Sequence, residues 1–222
     1  DWGLFHVEPS FHEAWQKYTR ILKQRNAALR DKKPGLDARL WDKQLIEASE
    51  KLTELRLHYV QELIPYLQEY SQRLIQISPI VQYRQGWPQE TSFESALSNS
   101  TEQDVHKGYT RYGPHRADLR ITDNGQPVQE RFSRGQQKLL VSAMRLAQIS
   151  HLRQRQSQQS VVLVDDLAAE LDSSHRHRLV ELLADSGAQL FITSTDANLF
   201  DTRAWASSKM FHVEHGQITE VI

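Results

Sequence analysis

From Phe11 onward, apolar side chains return every three or four positions: Phe11, Trp15, Tyr18, Leu22 and Leu29. That spacing lines one stripe of an α-helix. It predicts a helix over Phe11–Arg30, opened by a capping box at Ser10-Phe11-His12-Glu13 and stopped by Lys33-Pro34-Gly35. A second, longer stripe starts near Leu36-Asp37 and runs through Leu40, Trp41, Leu45, Ala48, Leu52, Leu55, Tyr59 and Leu63. Pro65 is expected to kink or restart this helix, because it lacks an amide hydrogen. Tyr66, Leu67, Tyr70, Leu74 and Ile75 carry the stripe on. Two such helices joined by a short turn make an antiparallel arm. Their aromatic and leucine stripes report packing, not a ligand box.

Further along, Ile77–Tyr83 reads as a short strand and Ser92–His106 as a helix. Near Lys107-Gly108-Tyr109 the pattern changes to α/β. Ala117–Thr122 alternates like a strand, Asp123-Asn124-Gly125 is a tight-turn signal, and Val128–Arg131 is expected to return as a strand. Leu139, Leu140, Ala143, Met144, Leu146, Ala147 and Ile149 mark a helix beginning at Ser133. Val161–Val164 is an unbroken apolar run, which reads as a strand buried on both faces. A helix over Ser173–Asp185, a strand over Gln189–Thr193 and a hairpin pairing Met210–Val213 with Ile218–Val221 complete the pattern. The predicted organisation is an all-α arm over 1–107 followed by an α/β lobe over 108–222.

Composition narrows the class. Hydrophobic residues make up 39% and charged residues 25%, a globular balance, and no apolar run approaches the ~20 residues that span a bilayer. No basic-then-apolar leader opens the sequence, so no membrane association is expected. Without cysteine there is no disulfide framework and no thiolate metal site, which is compatible with a reducing cytoplasm. A net charge of −1 excludes a wholesale polycation. Locally, however, Lys17, Arg20, Lys23, Arg25, Arg30, Lys32 and Lys33 are opposed only by Asp31. That stretch is either a solvated helix face or a set of phosphate contacts. The histidines at 175, 177, 212 and 215 lack metal-ligand spacing, and no zinc is expected.

The candidate chemistry lies at the end of the Val161 strand. Asp165 and Asp166 follow it directly and Asp172 lies a little beyond. In open α/β sheets ligands collect at such strand ends, and paired acids there suit Mg²⁺ or a water nucleophile. Upstream, Phe132-Ser133-Arg134-Gly135-Gln136-Gln137-Lys138 opens a helix, with Ser133 suited to an N-cap and Gly135 to close approach of an anion. Together these residues resemble the signature motif, Walker B strand and D-loop of the ABC-type ATPases. Gly113-Pro114-His115-Arg116-Ala117-Asp118-Leu119, the run Asp165–Asp172 and the opening Asp1-Trp2-Gly3-Leu4-Phe5-His6-Val7-Glu8 narrow the resemblance to the RecF family of bacterial recombination mediators.

The resemblance implies an α/β ABC-type ATPase half-head, its C-terminal lobe, preceded by a helical arm or lid. It places Asp165 at the metal (Mg²⁺) position and Asp166 at that of the water-orienting acid. Ser133, Arg134, Gly135 and Gln136 would cap the γ-phosphate of an ATP held by a partner copy. Asp172 falls at the dimer seam, and Thr195 stands where many relatives carry a phosphate-sensing histidine. Asp166 in place of glutamate, and Thr195 in place of histidine, imply slow hydrolysis used as a switch. The implied partners are DNA at single-strand/double-strand junctions, an ATP-dependent second copy, and RecR- and RecO-type proteins, in repair, replication restart and the SOS response. No GxxxxGK[ST] loop occurs, so the expectation is a fragment that alone neither binds ATP tightly nor hydrolyses it. Lys17, Arg20, Lys23 and Arg25 are the candidate DNA contacts. A Rad50- or SMC-like head, a transporter ATPase subunit and a helical interaction module without catalysis are the alternatives.

Overall fold

A computed structural model describes residues 1–31, 37–156, 159–166, 171–196 and 205–221. Lys32, the Lys33-Pro34-Gly35 stop and residues Leu167–Glu170 of the Asp165–Asp172 run lie outside them. The chain divides into two compact units. The first comprises Asp1–Gln68 and Ser78–Arg131, the second Glu69–Ile77 and Phe132–Ile222. The strands that follow residue 107, up to Arg131, group with the helices of the first unit.

In the first unit, α1 (Trp2–Val7) leads into α2 (Pro9–Asp31), and a 3₁₀ turn at Ala38–Trp41 leads into α3 (Asp42–Ile75), whose residues from Glu69 onward group with the second unit. The start of α2 differs from the expected capping box. Pro9 takes the first helical turn, where its missing N–H costs nothing, and the Glu8 carboxylate accepts from the Ser10 amide at 3.2 Å and the Ser10 hydroxyl at 2.7 Å. These bonds hold the Glu8 carboxyl below its ordinary pKa. Helix α3 passes through Pro65 without interruption. Leu63, Leu67, Tyr70 and Leu74 stay buried on both sides of the proline, and that burial holds the helix together across the lost hydrogen bond. Gly3 lies against Tyr59, where an added Cβ would sit 1.8 Å from the phenol oxygen.

Strand β1 (Ile80–Arg84), helix α4 (Phe93–Lys107), β2 (Asp118–Asp123), β3 (Gln126–Pro127) and a short helix α5 (Val128–Arg131) complete the unit. β1 and β2 pair antiparallel from Ile80↔Thr122 to Arg84↔Asp118. The turn at Asn124-Gly125 has φ of 47° and 78°, the positive-φ pair that tight hairpins favour. The expected return strand at Val128–Arg131 is instead helical. Pro127 ends the ladder because it has no N–H to donate, and Val128 turns inward to be buried.

One buried cation organises this unit. Arg25 is fully buried. Its Nε donates to Asp42 Oδ1 at 2.7 Å, and its Nη1 donates to Asp104 Oδ2 at 2.9 Å and Thr110 Oγ1 at 2.8 Å. Asp104 also accepts from the Arg111 amide, and Asn26 accepts from both the amide and hydroxyl of Thr110. Arg25 therefore joins α2, the start of α3, the end of α4 and the following loop. It cannot be a phosphate contact, which corrects its place among the candidate DNA residues. Lys17, Arg20 and Lys23 are exposed on α2.

The loop after α4 is closed by His115. Its Nε2 lies 3.0 Å from the Thr110 carbonyl, so Nε2 carries the proton and Nδ1 accepts from the Tyr18 hydroxyl at 2.6 Å. Desolvation, chiefly, holds the His115 pKa below its ordinary value, although part of the ring reaches solvent. His115 and the Gly113-Pro114 turn brace the arm.

The second unit has one long helix, α6 (Arg134–Gln156), and a β–α–β segment of β4 (Val161–Val164), α7 (Ser173–Asp185) and β5 (Gln189–Ile192). A hairpin of β6 (Phe211–Glu214) and β7 (Gln217–Glu220) follows. β4 and β5 pair in parallel, from Val161↔Gln189 to Val164↔Ile192. Leu139, Leu140, Ala143, Leu146, Ala147, Leu179, Val180, Leu182 and Leu183 are buried. β4 is not covered on both faces as expected, since Val161 and Leu163 are 60% and 76% exposed. Among the described residues no helix is long and apolar enough to cross a membrane.

Replacing Arg25 with alanine leaves the Asp104 carboxylate buried without its cation. It is expected to cost about 3–5 kcal/mol of stability, read from urea unfolding. The paired change Arg25→Met with Asp104→Leu should cost less than Arg25→Ala alone. A loss under about 1 kcal/mol for Arg25→Ala would show that the pair contributes little.

Candidate functional site

The acids sit where the parallel register places them. β4 ends at Val164 opposite Ile192 of β5, so the next residues, Asp165 and Thr193, come side by side. The Thr193 amide donates to the Val164 carbonyl at 2.9 Å. Its hydroxyl donates to Asp165 Oδ1 at 2.6 Å and accepts from the Asp166 amide at 2.9 Å. A single threonine therefore fixes the carboxylate of one aspartate and the backbone of the next. Asp166 adopts φ of 45°, a left-handed conformation uncommon for residues other than glycine and commonest among them in Asn and Asp. Both carboxylates remain exposed at the strand end.

The signature turn is a capping box. Ser133 Oγ accepts from the Gln136 amide at 3.3 Å, and the Gln136 side-chain oxygen accepts from the Ser133 amide at 3.0 Å. Serine followed three residues later by glutamine satisfies two amides that a helix start leaves without partners. Arg134 is exposed and Gly135 half-buried in the first turn of α6. The positive end of a 23-residue helix thus faces outward through a serine hydroxyl and a glycine, a donor set suited to a phosphate oxygen.

Asp172 is the N-cap of α7. Its carboxylate accepts from the His175 amide at 2.9 Å and meets His175 Nδ1 at 2.6 Å. These bonds lower its pKa to about 2, the amide bond contributing most. His177 reaches Glu181 instead, so the two histidines of α7 serve separate carboxylates. Thr195 is exposed beyond β5 and, among the described residues, lies outside the Asp165–Asp166–Thr193 cluster. The sequence pattern singled out Thr195 and passed over Thr193. The available signal was the register: a hydroxyl directly after the second parallel strand falls beside whatever follows the first.

Two measurements check this geometry. Thr193→Val removes the acceptor for the Asp166 amide, whose hydrogen exchange should accelerate, while Thr193→Ser should keep it slow; equal rates in both variants would break the clamp. The Asp172 carboxyl should titrate near pH 2. A carboxylate with a depressed pKa contributes its stabilisation above the ordinary carboxyl range and loses it as the pH falls through that lower value. An NMR midpoint near 3.8, the unperturbed value, would mean the cap does not form.

The chain is similar to known proteins along essentially its whole length. The RecF/RecN/SMC N-terminal domain model matches residues 18–219. DNA replication and repair protein RecF of Shewanella piezotolerans is 43% identical over all of this chain, which spans 62% of that protein. Its counterpart in Thioalkalivibrio sulfidiphilus is 42% identical over 98% of the chain and 61% of its own length. The solved structure of the recombination mediator protein RecF–ATP in the RecFOR pathway has a TM-score of 0.81 at 18% identity, over 99% of this chain and 61% of that one. At that identity the likeness concerns the fold, and this chain spans about three fifths of the relatives it matches. The chain belongs to the RecF/RecN/SMC N-terminal domain family, and its similarity within that family is to RecF.

Proposed function

We propose that this chain is the helical arm and C-terminal lobe of an ABC-type ATPase head, part of a recombination mediator that acts on DNA in replication and repair. The observation that carries the reading is the Asp165–Asp166 pair, clamped by Thr193 at the end of β4, in a chain 43% identical to RecF. Its ATP would be shared between two copies, with the phosphate cradle supplied by polypeptide outside these 222 residues.

Two exposed carboxylates and a hydroxyl are hard oxygen donors, the set that fits Mg²⁺. Asp165 would hold the ion, which when bound neutralises charge on the phosphate oxygens. Thr193 fixes the rotamer of Asp165, so that carboxylate is oriented in advance. Asp166 would hold and orient the attacking water, and its side chain is one methylene shorter than glutamate. Ser133 and Gly135 would donate to the γ-phosphate of the partner copy's ATP, with Arg134 adding a cation beside them and Gln136 holding the turn. Asp172 would stand at the seam between copies, and Thr195 would hydrogen-bond phosphate or water without being able to act as an imidazole. Closure of the two copies around ATP, and slow reopening, would switch the grip on DNA near single-strand/double-strand junctions. The exposed Lys17, Arg20 and Lys23 would contact the DNA backbone, and RecR- and RecO-type proteins would then load recombinase. Repair, replication restart and SOS induction would follow from that loading.

The test joins the chain to its relatives' P-loop-bearing segment and follows mass by light scattering. With ATP and Mg²⁺ the joined protein should dimerise, and Ser133→Arg should leave it monomeric. Association that ignores both nucleotide and Ser133 would favour a helical interaction module over an ATP switch. The 222-residue chain alone should show no micromolar ATP affinity by calorimetry, and such an affinity would refute the shared site.

A further inference from the structure

One imidazole beside the proposed seam has no part in the ATP chemistry described above. His175 sits in the first turn of α7, against the Asp172 cap. Both oxygens of that carboxylate are engaged: Oδ1 accepts from the His175 amide at 2.9 Å, and Oδ2 meets His175 Nδ1 at 2.6 Å. Held at two points, the carboxylate cannot turn, and it fixes the ring in one orientation. The same bonds lower the Asp172 pKa to about 2, so at neutral pH it is an acceptor only. Nδ1 therefore carries the ring proton, and in the neutral imidazole Nε2 keeps its lone pair.

That lone pair is available. The His175 side chain is 30% exposed, and among the described residues Nε2 meets no protein partner. His177 differs, because its Nε2 lies 3.2 Å from Glu181 one turn along α7, with both side chains more than half exposed. An i,i+4 pair of that kind is an ordinary surface contact. The Asp165–Asp166–Thr193 cluster, in turn, consists of two carboxylates and a hydroxyl. Hydrolysis also needs a proton acceptor, and imidazole is the side chain best matched to neutral pH.

We propose that His175 is the proton acceptor for hydrolysis of the ATP held by the other copy, with Asp172 as its positioning residue. In the closed dimer, Nε2 accepts a hydrogen bond from the water that the partner copy's Asp166 orients. Nε2 takes one proton from that water as the water oxygen bonds to the γ-phosphorus. The bond from this phosphorus to the β–γ bridging oxygen breaks, and ADP leaves with that oxygen. Asp172 stabilises the imidazolium so formed, which then returns its proton to the released phosphate. The inference rests on the shared-site reading above, in which Asp172 stands at the seam.

The test again joins the chain to its relatives' P-loop-bearing segment, following association by light scattering and turnover by phosphate release. His175→Ala should still dimerise with ATP and Mg²⁺, while kcat falls roughly 100-fold or more and KM stays near the parent's. His175→Gln, which can hydrogen-bond but cannot take the proton, should lose as much. Added imidazole should restore part of the rate to His175→Ala and leave the parent unchanged, a rescue that a ring serving only to cap α7 would not show. Asp172→Asn should also lower kcat, because its amide donates to Nδ1 and moves the ring proton to Nε2. Thermal melts confirm that each variant is folded. A dimer of His175→Ala that turns over like the parent, or a loss that imidazole does not reverse, would overturn the inference. A parent that does not dimerise would overturn the shared site as well, a result distinct from a dimer whose turnover ignores His175.

Discussion

A fully buried guanidinium draws on partners inside the protein, and Arg25 meets acceptors on three separate segments. An arginine fork offers donors in a fixed plane, so Asp42, Asp104 and Thr110 can meet its Nε and Nη1 only if α2, the start of α3 and the end of α4 hold one mutual arrangement. Leucine stripes are tolerant: a helix can slide by a turn and still bury them. A desolvated charge pair has no such freedom, because an imperfect fit leaves a carboxylate or guanidinium uncompensated at a cost of several kcal/mol. In this arm the apolar stripes supply the burial and the Arg25 cluster sets the register. The same contact places Thr110, whose carbonyl fixes the His115 tautomer and with it the bond to Tyr18.

Withdrawing Arg25 also shapes the surface. Along the sequence it is one of several cations in a basic stretch, and nothing in the local pattern distinguishes it from Arg20 or Lys23. Its heptad-like spacing from Tyr18 and Ile21 places it on the buried stripe, but a charged residue on that stripe reads as exposed until the acids that neutralise it are known. Those acids come from Asp42 and Asp104, distant in sequence, so a local reading had no access to them.

The rest of the fold divides along the same line. Elements set by local periodicity were legible: α2 and α3 follow their apolar stripes, α7 spans the predicted residues, and the hairpin turns at Asn124-Gly125 and His215-Gly216 have positive φ. Elements set by what a segment meets were not. Val128 has strand propensity, yet Pro127 ends the ladder and burial turns the next residues into a helix. Pro65 has breaker chemistry, yet the stripe on either side is buried deeply enough to keep α3 whole. At the candidate site the acids and the serine-glycine turn could be read from residue type. Thr193 could not, because its importance lies in the pairing of β4 with β5.

That pairing explains how an exposed acid pair is held in one geometry. Exposed carboxylates on a loop ordinarily sample many rotamers, and a left-handed backbone at a residue such as Asp166 is held only where the surroundings over-determine it. Here the constraint comes from β5. The parallel ladder positions the Thr193 amide on Val164, and the Thr193 hydroxyl then binds Asp165 and the Asp166 amide together. Donating to one oxygen of Asp165 leaves that carboxylate's other oxygen to face outward, while accepting from Asp166 stabilises the unusual φ. The two acids are thus oriented by a neighbouring strand instead of by each other. A displacement of β5 would reach both at once, so the position of this strand relative to β4 sets the geometry of the acid pair as a unit.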